Sequence, residues 1–227
     1  GPDAAICEGQ TYTVSGATAS GAVTYGWTSN GTGTLSGALT LTPTYTPAQG
    51  EYGQVILTLT AKGADQCPAA SDQMVLTIVP MPTADAGDDA LVCQGSPYLL
   101  TGTEARNYAT ILWTTDGAGI LSDDMSITPT YTPDPDETGD VTLTLTVTGN
   151  GPCGVAVDQM VIHITPAVTA NAGQNASICG GSLYPISGAT ASNASSYLWH
   201  TSGTGTFSDP TLLNPVYTPS ANDLVTG

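Results

Sequence analysis

The chain has 227 residues and carries only 2 Lys and Arg against 19 Asp and Glu, for a formal net charge of −17 at pH 7. Nucleic acid and anionic membrane surfaces carry charge of the same sign, so electrostatics exclude both as partners. The chain is rich in turn formers, with 27 Gly and 16 Pro, but 40% of it is hydrophobic. This balance favours a folded all-β protein over a disordered acidic one. The sequence contains no run of eighteen apolar residues, so it does not predict a transmembrane helix.

An internal repeat with a step of 86 residues organises the chain. The recurring large residues are Trp27, Trp113 and Trp199, together with Tyr12, Tyr98 and Tyr184, and Tyr45, Tyr131 and Tyr217. Their shared register predicts three domains, at residues 1–80, 81–166 and 167–227. By the same register the first repeat lacks its opening residues and the third lacks its last two strands. We therefore expect the parent protein to be longer.

Alternation of apolar and polar residues predicts about seven short strands in each repeat. In the first repeat these are expected, in chain order, around Ala4–Ile6, Tyr12–Val14, Tyr25–Trp27, Thr34, Leu39–Tyr45, Val55–Thr60 and Met74–Val79. Seven short strands separated by glycine-bearing turns are typical of an immunoglobulin-type β-sandwich. The linkers at residues 81–83 and 167–169 are short, which predicts closely joined domains arranged as a rod.

Several segments recur in the repeats: the openings AGDDALVCQG and AGQNASICGG, the tryptophan segments YGWTSNGTGTLS, ILWTTDGAGILS and YLWHTSGTGTFS, the turns PTYTP and PVYTP, and the closing strand VTLTLTVTGNGPC. They resemble the PKD-like and immunoglobulin-like repeats of Bacteroidota cell-surface proteins, including gliding-motility adhesins exported by the type IX system. The resemblance implies an extracellular β-sandwich at a bacterial surface. The PKD pattern places acidic residues directly after the tryptophan, whereas Thr28, Thr114 and His200 stand there. The resemblance therefore carries over no ligand role for that segment.

Residues suited to catalysis are few, and we predict no enzyme. The two histidines, His163 and His200, each occur in one repeat only and are expected to be solvated. The three tryptophans are expected to fill the space between the sheets, together with the recurring tyrosines. Sugar stacking is the alternative for the tryptophans if they are exposed.

Acidic residues cluster at the first junction between repeats, at Asp85, Asp88 and Asp89. Calcium takes several oxygen ligands, so these residues are candidates for a site that stiffens the junction. The matching positions of the third repeat are Asn171, Gln174 and Asn175, which lack the charge. Solvated acids with no cofactor are the competing interpretation.

Five cysteines in a secreted protein are expected to oxidise. Pairing within repeats would join Cys7 to Cys67 and Cys93 to Cys153, leaving Cys179 alone. Immunoglobulin topology places Cys7 and Cys67 at opposite ends of a domain, about 25 Å apart, whereas a disulfide needs Cα atoms within about 7 Å. This geometry favours a bridge between domains, from Cys7 to Cys153. Pairing within domains stays open if the first strand is displaced.

We expect a structural or adhesive segment of a large secreted surface protein, acting as an extended stalk or spacer. Its partners would be the neighbouring repeats, with surface polysaccharide or other cell-surface proteins as further candidates. One alternative is a glycan-binding module of a secreted hydrolase. The other is a subunit of an extracellular filament, in which the third repeat receives strands from another molecule.

Overall fold

The computed structural model describes residues 1–64 and 67–223. The first repeat contains β1 (Ala4–Cys7), β2 (Tyr12–Thr13), β3 (Thr24–Ser29), β4 (Thr34–Ser36), β5 (Thr44–Thr46), β6 (Gly53–Lys62) and β7 (Ala70–Val79). Its seven strands agree in number with the prediction. Within these described ranges the chain contains no helix, so nothing there is a helix long and apolar enough to cross a membrane.

The second repeat contains β8 (Thr83–Asp85), β9 (Ala90–Cys93), β10 (Tyr98–Leu99), β11 (Glu104–Arg106), β12 (Tyr108–Thr115), β13 (Ile120–Ser122), β14 (Thr130–Thr132), β15 (Gly139–Gly149) and β16 (Val155–Thr165). The third contains β17 (Thr169–Asn171), β18 (Tyr184–Pro185), β19 (Thr190–Ser192), β20 (Thr206–Phe207) and β21 (Val216–Thr218). Every described element is therefore a strand, and the prediction of an all-β fold is confirmed.

The first two repeats share two equivalent sheets, and the second repeat has a further two-stranded sheet of β8 and β11. In the first repeat the orders are β1-β7-β6-β3 and β2-β5-β4, and the second repeats them as β9-β16-β15-β12 and β10-β14-β13. An immunoglobulin sandwich places its second, fifth and fourth strands in one sheet and its third, sixth and seventh in the other. The strand orders match this arrangement, so both repeats are immunoglobulin-like.

The core lies between the two sheets and follows from the alternation in the long hairpins. Along β15 the side chains of Val141, Leu143, Leu145 and Val147 are buried, whereas the threonines between them lie toward solvent. They pack against Trp113 and Tyr131 in one cluster. Each large apolar side chain buried in this way contributes about 1.5–3 kcal/mol, so the hairpin is a main source of stability.

The first strand of each sandwich joins the edge of the larger sheet in parallel with the last strand. Cys7 is paired with Val79, and Cys93 with Thr165. The strand therefore ends at the carboxyl end of the last strand, which is where the linker to the next repeat begins. Cys7 and Cys93 therefore each lie at the junction with the following repeat.

Two local predictions were wrong. The fifth predicted strand spans only Thr44–Thr46, because Leu39 lies in a turn and its side chain is 79% exposed. The turn is closed by a backbone hydrogen bond from Thr40 to Gly37, which competes with strand pairing. The second repeat also contains a pair, β8 with β11, that alternation did not predict. Strands of three residues are too short to show a period of two.

The described part of the third repeat lacks the four-stranded sheet of the first two repeats. β18, β21 and β20 form the smaller sheet, and β17 pairs with β19 as β8 does with β11. The described part of this repeat contains no counterpart of the β15–β16 hairpin. Its inner face therefore has less cover than the cores of the first two repeats.

Candidate functional site: the junction between repeats

A disulfide joins the first repeat to the second. Cys7, at the end of β1, is bonded to Cys153, in the loop between β15 and β16, with the two Cα atoms 5.0 Å apart. This is the bridge that the topology favoured. The pairing of Cys7 with Cys67 is prevented by distance, because Cys7 lies beside the end of β7 and Cys67 precedes its start.

The linker at this junction is also held by side chains from both repeats. The carboxylate of Glu8 accepts a hydrogen bond from the backbone N–H of Met81, at 3.5 Å. The amide of Asn107 donates to the carbonyl of Met81, at 2.9 Å. Asn107 has a φ of 57°, a left-handed conformation that asparagine tolerates better than most residues. One linker residue is thus fixed on both of its backbone polar groups.

The second junction repeats these contacts with equivalent residues. Gln94 accepts a hydrogen bond from the N–H of Ala167 at 2.9 Å, and Asn193 donates to the carbonyl of Ala167 at 2.9 Å. Asn193 also has a φ of 57°. Glu8 and Gln94, like Asn107 and Asn193, differ by the repeat step. The junction is therefore a recurring structure and not an accident of one linker.

The remaining cysteines are free thiols. Cys67, Cys93 and Cys179 are all exposed. Cys93 ends β9 just as Cys7 ends β1, so it occupies the position that carries the bridge at the first junction. Cys67 occupies the loop position of Cys153, one repeat earlier.

The burial of the predicted core residues differs between the first two repeats and the third. Trp27 and Trp113 are 5% and 1% exposed, and Tyr45 and Tyr131 are fully buried. The edge tyrosines and the residues of the third repeat are only half-buried, namely Tyr12, Tyr98, Tyr184, Trp199 and Tyr217. Burial of the first two indoles leaves no face free for sugar stacking. The expectation of a buried core tryptophan does not hold for Trp199.

Each sandwich also contains a tyrosine–carboxylate pair that sequence reasoning missed. The hydroxyl of Tyr131 donates to Glu137 at 2.7 Å, and the pair recurs as Tyr45 with Glu51 and Tyr217 with Asp223. The carboxylates keep the same 86-residue step as the tyrosines. That shared step is the signal in the sequence that could have identified the pairs. We call these pairs the tyrosine corners. Each is a tyrosine bound to a carboxylate six residues later, and it differs from the tyrosine of the sixth strand that has this name in immunoglobulin domains.

The tyrosine corner of the second repeat holds the loop between β12 and β13. The carboxylate of Glu137 accepts hydrogen bonds from the N–H groups of Ala118 and Asp134, and Gly119 donates its N–H to the hydroxyl of Tyr131. A Cβ at Gly117 would stand against this hydroxyl and the carboxylate. The glycines of the recurring G-x-G segments are therefore required by close approach to the corner.

Burial and hydrogen bonding shift the pKa values of the corner groups. Burial, followed by the hydrogen bond to Glu137, raises the pKa of Tyr131 to about 12. Burial raises the pKa of Tyr45 in the same direction. For Glu51, burial opposes ionisation, but backbone hydrogen bonds from Ala48 and Thr32 outweigh it and lower the pKa. The pair in the first repeat thus holds a neutral tyrosine against an ionised carboxylate.

Two of the three carboxylates at the first junction accept hydrogen bonds from backbone N–H groups. Asp89 accepts a hydrogen bond from the N–H of Val161 at 2.7 Å, and Asp85 accepts one from Gly87 at 3.0 Å. Asp3 repeats the Asp89 contact with Val75 at 2.8 Å. Within residues 1–64 and 67–223, no group of three or more His, Cys, Asp or Glu side chains could hold a metal ion. We therefore do not propose the calcium site at Asp85, Asp88 and Asp89.

Neither histidine is placed in a site. Both His163 and His200 are exposed. The ring of His163 pairs across the hairpin with Asp140, which is also exposed. Such surface pairs contribute little, about 0–1 kcal/mol. We assign no chemistry to either residue.

Comparison with known proteins gives similar solved structures but no family. No protein-family model and no curated protein sequence matches the chain. The I67–I69 fragment of titin is 13% identical, with a TM-score of 0.48 over 98% of this chain and 87% of that one. Immunoglobulin domains 1–5 of Sidekick-1 are 11% identical, with a TM-score of 0.47 over 96% and 51%. The D00–D0 domain of intimin is 14% identical, with a TM-score of 0.37 over 69% and 93%. These scores are low, so the fold assignment rests on the strand orders given above.

Proposed function

We propose that this chain is a structural or adhesive repeat segment of a secreted bacterial surface protein, in which it acts as a stalk or spacer. The resemblance of its recurring segments to repeats of Bacteroidota surface proteins supports the location, including the setting of gliding adhesins exported by the type IX system. The immunoglobulin-like fold supports the repeat role. The junctions, and not a cavity with catalytic groups, carry the most distinctive chemistry.

The disulfide between Cys7 and Cys153 is the observation that carries the proposal. Two successive domains joined only by a linker can bend about that linker. The bridge adds a second covalent connection at a different point, between the end of β1 and the loop of the β15–β16 hairpin. Two connections remove most of the bending freedom that one would leave. A disulfide of this kind also persists only in an oxidising compartment, which supports secretion.

The hydrogen bonds at the linkers support the same role. Met81 and Ala167 are each fixed on both the N–H and the carbonyl. A flexible linker would leave these groups to water, so their pairing favours a defined angle between domains. The net charge of −17 keeps such a segment soluble and repels it from anionic surfaces. Its partners are the neighbouring repeats, with surface proteins or polysaccharide bound at loops.

Small-angle scattering tests the spacer role on the oxidised chain. A sandwich of this kind is roughly 35–45 Å long, from strands of eight to ten residues at about 3.4 Å each plus a turn. Three domains in line give a maximum dimension of about 110 Å or more. The double variant Cys7→Ser/Cys153→Ser should broaden the distribution of distances, because the first junction then bends.

Cys93→Ser is the matched control, since it removes an exposed thiol that is free in this chain. It should leave the scattering curve unchanged. A compact particle would contradict the spacer role. If the double variant scatters like the parent chain, the bridge does not stiffen the junction.

A further inference from the structure

The second repeat carries an apolar patch on the outer face of its four-stranded sheet. Leu112 is 40% exposed, and Val155 and Val157 are 63% and 55% exposed. Strand register places Leu112, Thr146 and Val157 in one row across β12, β15 and β16, and it places Thr110, Thr148 and Val155 in the next row. We call these six residues the Leu112 face. Because these exposures hold with all three repeats present, no part of the described chain covers the face.

The first repeat lacks this patch. Its residues at the positions of Leu112, Val157 and Thr148 have no side chain, a polar one or a charged one, namely Gly26, Ser71 and Lys62. The same sandwich therefore forms without apolar side chains on this face. Contiguous exposed apolar surface is costly in water and marks interaction sites. The patch is a property of the second repeat and not of the fold.

The Leu112 face also lies apart from the acidic groups of its repeat. Residues 81–166 contain more than half of the 19 Asp and Glu of the chain, against Arg106 as the single Lys or Arg. Among the outward positions of β12, β15 and β16, all of which the structure describes, Asp140 is the only carboxylate. It lies about 20 Å along β15 from Thr146. A cationic partner would therefore bind elsewhere on the repeat, and an occupant of this face is recognised by apolar contact.

We propose that the Leu112 face is the contact surface for a second copy of this chain, packed sheet against sheet. Each copy carries a net charge of −17, so two copies repel each other over their acidic surfaces. They can approach closely only where carboxylates are absent, and the Leu112 face meets this condition while offering apolar side chains. This inference does not depend on the spacer role.

The row of Leu112, Thr146 and Val157 is self-complementary about a two-fold axis that runs along β15. Such an axis sets Thr146 of one copy opposite Thr146 of the other, and it sets Leu112 opposite Val157. The larger side chains then flank the small central threonine, so two sheets can interdigitate at a spacing of about 10 Å. Strands related by this axis run in the same direction. The two copies therefore lie side by side in parallel.

The contact is small, so the association should be weak. Three neighbouring strands measure about 14 Å across, and the 11 residues of β15 measure about 37 Å, which gives about 500 Å² on each copy. Stable interfaces bury about 800 Å² on each partner. Free copies should therefore associate only at high concentration, whereas copies held close together would associate readily.

Sedimentation of the whole chain tests the proposal, after the three free thiols have been alkylated without reduction of the disulfide. Up to millimolar concentration we expect a monomer–dimer equilibrium that shifts toward the dimer as salt is added, because salt screens the repulsion between copies. Val157→Lys should raise the dissociation constant by about tenfold or more, because it places an unpaired charge in an apolar contact. The added lysine makes the chain less negative, so long-range repulsion would not explain a loss of dimers.

Ser71→Lys is the matched control, since Ser71 is exposed at the position of the first repeat that is equivalent to Val157. Its dissociation constant should equal that of the parent chain. Leu112→Lys is the second variant on the face and should act as Val157→Lys does, and thermal melting checks that each variant is folded.

Three outcomes would overturn the proposal. A chain that stays monomeric at every salt concentration refutes the second copy and leaves the face to a different partner. Dimers that survive both substitutions on the Leu112 face in folded chains must form through another surface. An equal loss of dimers in Ser71→Lys would mean that any added lysine disrupts association, and that the face is not its site.

Discussion

The second and third repeats share a register of residues but differ in what their cores receive. Trp113 and Trp199 are equivalent, yet Trp113 is 1% exposed and Trp199 is only half-buried. The difference arises from β15 and β16, which have no counterpart in the described part of the third repeat. A recurring aromatic residue therefore marks where a core can form. The last hairpin determines whether that core is closed.

The largest effect is expected from truncation of the second repeat's tryptophan. Trp113→Ala removes a fully buried indole and should destabilise the second repeat by about 3–5 kcal/mol. Trp199→Ala should cost much less, because its site is already open. Hydrogen exchange of β15 measures the second repeat, and exchange of β21 measures the third repeat, where Trp199 lies. Equal losses for the two variants would mean that the two cores are closed to the same degree.

A smaller loss is expected from Gly117→Ala. The new Cβ would stand against the Tyr131 hydroxyl and 2.8 Å from a methyl of Val141, so the loop must move. Overpacking of this kind costs about 1–3 kcal/mol. Gly154→Ala is the control in the same repeat, because nothing lies within 4 Å of its Cβ. A stable Gly117→Ala would show that the corner tolerates displacement. Gly203→Ala should matter less, since the third corner is less buried.

The tyrosine corner gives an alkaline pH dependence. Tyr131→Phe should cost about 1–2 kcal/mol at neutral pH, because it removes a hydrogen bond to a carboxylate. The pKa of Tyr131 is raised to about 12 by burial and then by Glu137, from an ordinary value near 10. A group whose folded pKa is raised contributes its stability fully below its unfolded pKa. The contribution is lost as the pH rises through about 12.

The difference in stability between parent and Tyr131→Phe should therefore be constant up to about pH 10 and shrink toward pH 12. Hydrogen exchange of β14 and β15, corrected for the pH dependence of intrinsic exchange, measures it. Tyr217→Phe in the third repeat serves as the comparison and should show a smaller difference at every pH. A difference that persists unchanged to pH 12 would mean that the pKa of Tyr131 is the same in the folded and unfolded states.

The smallest effect concerns the acids of the first junction. Asp89→Ala should cost about 1 kcal/mol, because it removes the acceptor for the N–H of Val161. Asp88→Ala should change little, since Asp88 is exposed. Added calcium should leave the melting temperature of the parent unchanged, because Asp89 and Asp85 serve backbone groups. A rise in Tm with calcium that disappears in Asp89→Ala would reverse this assignment.

Much of the fold could be predicted from the sequence because the same residue types recur at equivalent positions of the repeats. The alternation in β6 and β7 and the 86-residue step of the tryptophans predicted the sandwich and its interdomain bridge. The step also carried the carboxylates of the tyrosine corners, but Asp223 differs from Glu137 by a methylene, which concealed the pattern. Leu39 was misplaced because its apolar side chain fits an alternating pattern while its backbone follows a turn.

The bridge between Cys7 and Cys153 has a mechanical consequence. A pull applied between the two ends of this chain follows the shortest covalent path, through residues 1–7, across the disulfide, and along residues 153–227. Residues 8–152 form a closed loop that carries no tension while the bridge is intact. Even if the first two sandwiches were torn open, most of their length would stay unextended. Reduction of one bond would release it all, so the reach of the molecule under load depends on a single pair of sulfur atoms.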